Sequence, residues 1–255
     1  LFVESDATVN AKSIIDTSTF ANGEGQIPLT NNGTIEISES IDLTTISNSG
    51  TITVPTINTS SITNSGTITA TNTFTATNYL RPTDSTSDVV NIKEGATLSI
   101  TNDATISTLI VKETADGNDF AYIITKNLSV TNATYNTADI KTKGNITLPE
   151  TTETTNEIRN LEIESGNLTI PNLIANKVSN GGKLSASGSV TIKTDLSKNT
   201  GTVETATLSV GQDISNNAVI TTTTTNVGGT LTDNGTSFTG IINFVGTGDQ
   251  TFSPN

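Results

Sequence analysis

One hexapeptide constrains this chain more than any other feature. Asn48-Ser49-Gly50-Thr51-Ile52-Thr53 returns 16 residues later as Asn64-Ser65-Gly66-Thr67-Ile68-Thr69, and a third copy, Asn31-Asn32-Gly33-Thr34-Ile35-Glu36, begins 17 residues upstream of the first. Around each glycine the apolar residues fall into columns. Leu29, Ile46 and Ile62 lie four before it, Ile35, Ile52 and Ile68 two after, and Ile37, Val54 and Ala70 four after. Ile41, Ile57 and Phe74 follow seven or eight after. An apolar residue at every second position, broken by Asn-x-Gly, reads as strand, turn, strand. So short a unit cannot bury its apolar face alone and must stack on its copies, which predicts a solenoid.

A second ladder follows the first. Gly144, Gly166, Gly188 and Gly211 are spaced by 22, 22 and 23 residues, with Ile146, Leu168 and Val190 two after the first three. Gly182 and Gly201 carry the same local pattern through Leu184 and Val203, so two registers fit this half. Spacings of 16–23 residues predict an all-β parallel β-helix of irregular rungs, expected to be right-handed. Residues 1–255 read as one solenoid domain, with 1–28 as an opening cap or strand pair. Turn glycines are expected to supply backbone angles that other residues avoid. Asparagines stacked at one corner are expected to form hydrogen-bonded ladders. A β-sandwich is the competing fold, but it demands turn signals every few residues and a larger aromatic core.

Only 32% of the residues are apolar and 4% aromatic, little for a spherical core of 255 residues but enough for thin layers. Charged residues are 15%, and the aliphatic alternation is persistent, so the disordered reading fails. The absence of cysteine excludes disulfides and thiolate chemistry. A net charge of -13 argues against nucleic acid or an anionic membrane as partner. No apolar run is long enough to span a bilayer. With no methionine and a first residue Leu1, the chain is expected to be a section of a longer protein.

The Asn-Ser-Gly-Thr-Ile-Thr repeats at 48–53 and 64–69 resemble the T-N-x-G-T-I-T repeats of large bacterial surface adhesins of the filamentous-haemagglutinin and autotransporter-passenger type. The segment from Phe244 to Phe252 is similar to one that recurs in repeat-rich bacterial surface proteins. The resemblance implies secretion to the bacterial cell surface, a parallel β-helix, an adhesive or scaffolding role and no catalytic residues. Implied partners are a host or cell-surface glycan or protein, or further copies of the chain joined end to end.

Candidate chemistry is sparse. The second reading is a glycan-binding or glycan-cleaving β-helix protein, and β-helix enzymes that cleave polysaccharides use grouped acids, or calcium and an arginine or lysine base. Here there is no histidine, and Arg81 and Arg159 are the only arginines. Asp116 and Asp119 form the densest oxygen cluster for calcium but lack a full ligand loop, so a solvated loop is the stronger reading. No catalytic, cofactor or metal residue is assigned. The Thr-x-Thr tracts (Thr51/Thr53, Thr67/Thr69, Thr73/Thr75/Thr77) and the run Thr221–Thr225 open a third reading, a flat hydroxyl array that binds ice, another surface or a glycan, although ordinary outward strand positions in a threonine-rich chain are the stronger reading. The seven Asn-x-Ser/Thr triplets, beginning with Asn32 and Asn58, are no more than composition produces.

Overall fold

β-Branched residues alternating with polar ones between Asn-x-Gly corners form strands along almost the whole chain, and no helix occurs among the described residues. A computed structural model describes residues 1–16, 28–82, 88–93, 95–112, 120–135, 138–150 and 157–254. Phe20, residues 151–156 and the Asp116/Asp119 loop lie outside the described residues. The chain divides into two compact units, Leu1–Thr114 with Ala121–Thr134, and Ala115–Phe120 with Tyr135–Asn255. Each is a parallel β-solenoid.

The first unit contains β1 (Phe2–Val3), β2 (Thr8–Ile15), β3 (Leu29–Asn31), β4 (Thr34–Asn48), β5 (Thr51–Asn64), β6 (Thr67–Leu80), β7 (Val89–Lys93), β8 (Thr97–Ile100), β9 (Ala104–Lys112) and β10 (Ala121–Thr134). β1 pairs with β3 and β2 with β4, both parallel. The columns read from the sequence are the register of the ladder. Ile35 faces Ile52, Ile41 faces Ile57 and Ile46 faces Ile62. Ile52 then faces Ile68, Val54 faces Ala70 and Ile57 faces Phe74. All are buried. Each buried isoleucine contributes roughly 1.5–3 kcal/mol, so a column of three or four outweighs any single surface contact in the unit. The long strands bend where the register shifts, between Glu36 and Ser40 and between Val54 and Thr56.

The second unit contains β11 (Ile140–Thr147), β12 (Ile158–Ile170), β13 (Leu173–Asn180), β14 (Lys183–Ile192), β15 (Leu196–Asn199), β16 (Thr202–Val210), β17 (Ile214–Asn216), β18 (Val219–Val227), β19 (Leu231–Asp233), β20 (Ser237–Phe244) and β21 (Phe252–Pro254). Gly144 stands opposite Gly166. The ladder then continues through Gly182 and Gly201, not through Gly188 and Gly211 as an even spacing suggests. Gly188 sits at a different bend, against Asn172 and Pro171, and Gly211 begins another column that runs to Gly228 and Gly246. Gly188 carries the same glycine-x-apolar pattern, through Val190, as Gly182 and Gly201 do at their corner, so the sequence period merges what the fold separates.

The corner glycines act for two reasons: Gly144 and Gly166 supply the expected positive φ, at 106° and 86°, whereas those of the first ladder do not. Gly33, Gly50 and Gly66 are not among the glycines with positive φ. Each stacks on its predecessor so closely that a Cβ on Gly50 would overlap the carbonyl oxygen of Gly33, and one on Gly66 that of Gly50. Those carbonyls accept the amides of Thr51 and Thr67, both at 2.8 Å. Close approach, not left-handed backbone, excludes a side chain there.

Candidate functional site

The polar residues that the fold buries are used to hold rungs together. At the corner before each glycine the asparagine side chain turns inward. Asn31 Nδ2 donates to Asn48 Oδ1 at 2.7 Å, and Asn48 Nδ2 to Asn64 Oδ1 at 2.8 Å. Asn64 Nδ2 then donates to the Tyr79 hydroxyl at 3.0 Å, which donates to Asp88 Oδ2 at 2.7 Å. Asn31 and Asn64 also accept the amides of Gly33 and Gly66 two residues on, the Asx geometry that makes asparagine a turn residue. The second unit repeats the device. Asn180 donates to Asn199 at 2.8 Å, Asn199 to Asn216 at 2.6 Å and Asn216 to Asp233 at 2.7 Å. The expected asparagine ladders therefore exist, and all six asparagines are buried.

The end of the first ladder is the densest buried polar group. Asp88 is fully buried and accepts from Tyr79, from the Ser107 amide at 3.2 Å and from the Ser107 hydroxyl. Arg81 donates to Ser107 Oγ at 2.9 Å. Burial, and next the negative charge of Asp88, push the Tyr79 phenol well above its usual value. Sequence reading missed this group, because Asp88 closes a Ser/Thr-rich acidic run that looks solvated, and only the three-dimensional stack sets Tyr79 in line with the asparagines. Arg159 likewise meets Asp139, at 2.9 Å. Both arginines are thus committed to holding neighbouring side chains.

Elsewhere charge is paired across rungs on the outer surface. Lys141 lies 2.9 Å from Glu162 and 3.3 Å from Glu164, and hydrogen bonding to Glu162 raises its affinity for its proton. Lys183 meets Glu204 at 2.6 Å, and Lys193 meets Glu157. No group of three or more acidic side chains that could hold a metal ion exists among the described residues.

Outward positions stack in register too. Thr51 and Thr53 face Thr67 and Thr69, but the rung before offers Thr34 and Glu36, and the rung after offers Val89 and Asn91. The paired threonine array is therefore two rungs deep. Shallow grooves run across the strands of each unit. One in the first unit, of about 220 Å³, is polar and includes Asp16, Asp42 and Asn58. One in the second unit, of about 520 Å³, crosses five strands at Thr147, Thr169, Ser185, Thr205 and Thr222.

Fold and surface together define a parallel β-solenoid whose interior is an aliphatic and amide stack and whose exterior is rows of hydroxyls, amides and paired charges. Neither protein-family profiles, characterised proteins nor solved structures give a match to this chain. No helix among the described residues is long and apolar enough to cross a membrane.

Proposed function

We propose that the chain is a structural and adhesive section of a secreted bacterial cell-surface protein, one that builds a fibre or sheath. The observation that carries this reading is how the ionisable groups are disposed. Among the described residues, the buried Asp88 and the half-buried Asp233 end hydrogen-bond ladders, Lys141 and Lys183 pair with glutamates of a neighbouring rung, and no three or more acidic side chains gather as a metal-holding group. The adhesin-like repeats at 48–53 and 64–69 support the same class. Self-association is part of the reading. Among the exposed large apolar side chains, Leu1, Phe2 and Ile15 lie on or beside β1 and β2, and Ile241, Phe244, Val245 and Phe252 on or beside β20 and β21. Such edges add strands readily.

Antibody raised against the purified chain should label intact source cells, and beads coated with the chain should adhere to host or neighbouring cells. Labelling only after permeabilisation, or beads that do not adhere, would overturn the proposal. The purified chain should also leave polysaccharides uncleaved. A glycan turnover abolished by changing a single Asp or Glu would establish the enzyme reading in its place.

A further inference from the structure

The groove of the second unit that includes Thr147 and Thr222 is a concave surface whose chemistry selects a ligand. It runs across β11, β12, β14, β16 and β18. One wall is a single in-register column of Thr147, Thr169, Ser185, Glu204 and Thr221. Along the floor the side chains become smaller, from Leu148 and Ile170 to Ala186, Thr205 and Thr222. The opposite side offers Pro171, Ser187, Ala206 and Thr223.

Three observations restrict what fits. First, the hydroxyls divide into two sets. Those in the floor are bonded: Thr205 donates to the Gly188 carbonyl at 2.9 Å, and Thr222 to the Thr239 carbonyl at 3.1 Å. Thr147, Thr169, Ser185, Ser187, Thr221 and Thr223 line the groove with hydroxyls that make no hydrogen bond to the described residues. Second, the groove is electrically quiet. Among the described residues, its one charged lining residue, Glu204, is matched by Lys183 at 2.6 Å and no basic residue lines it, so a polyanion gains nothing from them. Third, four of its strands are paired on both sides. β12 lies between β11 and β14, β14 between β12 and β16, β16 between β14 and β18, and β18 between β16 and β20, so an added peptide strand finds no backbone partners along them. The methyl and ring carbons of Ala186, Ala206 and Pro171 remain as apolar surface between the hydroxyls.

The geometry points to an extended, uncharged oligosaccharide as the occupant, its hydroxyls meeting the threonine and serine walls and its ring faces covering the alanine and proline carbons. Rungs advance by about 4.8 Å, so five of them present roughly 20 Å of repeating hydroxyl wall, long enough for several consecutive sugar rings. This inference rests on the adhesive reading and gives it a ligand class.

The test is heteronuclear NMR titration of the whole chain with hexasaccharides of β-linked glucose, xylose and N-acetylglucosamine, with a heparin hexasaccharide as the anionic control. At least one uncharged hexasaccharide should bind saturably, with shifts concentrated between residues 147 and 223. Binding should weaken at least tenfold in Ala206→Trp, which fills the groove from an exposed position. It should also weaken in the double variant Thr221→Val with Thr223→Val, which removes two hydroxyls at nearly constant volume. No binding by any uncharged hexasaccharide, stronger binding of heparin, or equal binding by both variants would overturn the inference. Coated beads separate the two proposals. If Ala206→Trp beads adhere as well as wild type, the groove inference falls and the adhesive reading stands.

Discussion

The asparagine ladder yields a sharp prediction, because the same two residue types can be exchanged in opposite directions at two of its points. Asn48 Oδ1 accepts from Asn31 Nδ2, while Asn48 Nδ2 faces three acceptors: Asn64 Oδ1 at 2.8 Å, the Gly50 carbonyl at 3.2 Å and the Thr67 carbonyl at 3.3 Å. Asn48→Asp keeps the accepted bond but sets a buried carboxylate against all three acceptors. Leaving a buried charge without a compensating partner costs about 3–5 kcal/mol. Asn48→Ala leaves Asn31 Nδ2 with the Thr51 carbonyl and Asn64 Oδ1 with the Gly66 amide, so its cost should be lower, about 2–3 kcal/mol. At the end of the second ladder both bonds, from Asn216 Nδ2 and the Gly235 amide, fall on Asp233 Oδ1. Asp233→Asn preserves both and should change stability by no more than about 0.5 kcal/mol. Urea unfolding followed by circular dichroism gives the ranking. Native-state hydrogen exchange locates it, since a solenoid loses stability near the altered rung first. Equal costs for Asn48→Asp and Asp233→Asn would refute the directional account of the ladder.

Other perturbations test other layers. Ile52→Asp should unfold its part of the first unit, since Ile52 is wholly buried between Ile35 and Ile68, whereas Thr51→Asp, outward in the same strand, should be tolerated; comparable protease sensitivity of the two would reverse the inside/outside assignment. Gly50→Ala should destabilise by several kcal/mol through overlap with the Gly33 carbonyl, while Gly248→Ala, with nothing nearby, should be neutral in thermal melts. Burial raises the affinity of the Tyr79 and Tyr135 phenols for their protons. The unfolded phenols ionise near pH 10 while the folded ones stay neutral, so stability should be complete below about pH 10 and fall as pH rises further. Tyr135→Phe should flatten that alkaline limb for the second unit, and an unchanged limb would count against it. Sedimentation across a wide concentration range should show weak, concentration-dependent association, and a strict monomer would remove fibre formation from the proposed function.

Much of the fold could be read from the sequence wherever one residue type does one job. Ile35, Ile52 and Ile68 share an offset from their glycines and share a column, and the inward asparagines follow the same logic. Legibility failed where a substitute enters. Tyr79 takes over the ladder from Asn64 by reach and not by position, since the residue paired with Tyr79 is Ile62. Threonine misleads in another way. Thr205 and Thr222 look like outward strand residues but are buried, because their hydroxyls reach main-chain carbonyls at a bend. Gly188 and Gly182 look alike because local pattern reports that a corner exists, not which corner. The groove could not be foreseen, because it depends on residues from five rungs meeting at a bend.

The one-way order of the ladders has an electrical consequence. In each stack every side-chain amide points its N–H₂ group toward the next rung and its carbonyl toward the preceding one. The amide dipoles add, as peptide dipoles do along a helix, and leave partial positive charge at the donor end. That end meets a carboxylate both times, through the Tyr79 hydroxyl at Asp88 and directly at Asp233. An aspartate there serves a column of side chains as an acidic residue serves the first turn of a helix. Polarity is thereby written into an interior that contains no helix, and each stack has a head and a tail that its strands alone do not distinguish.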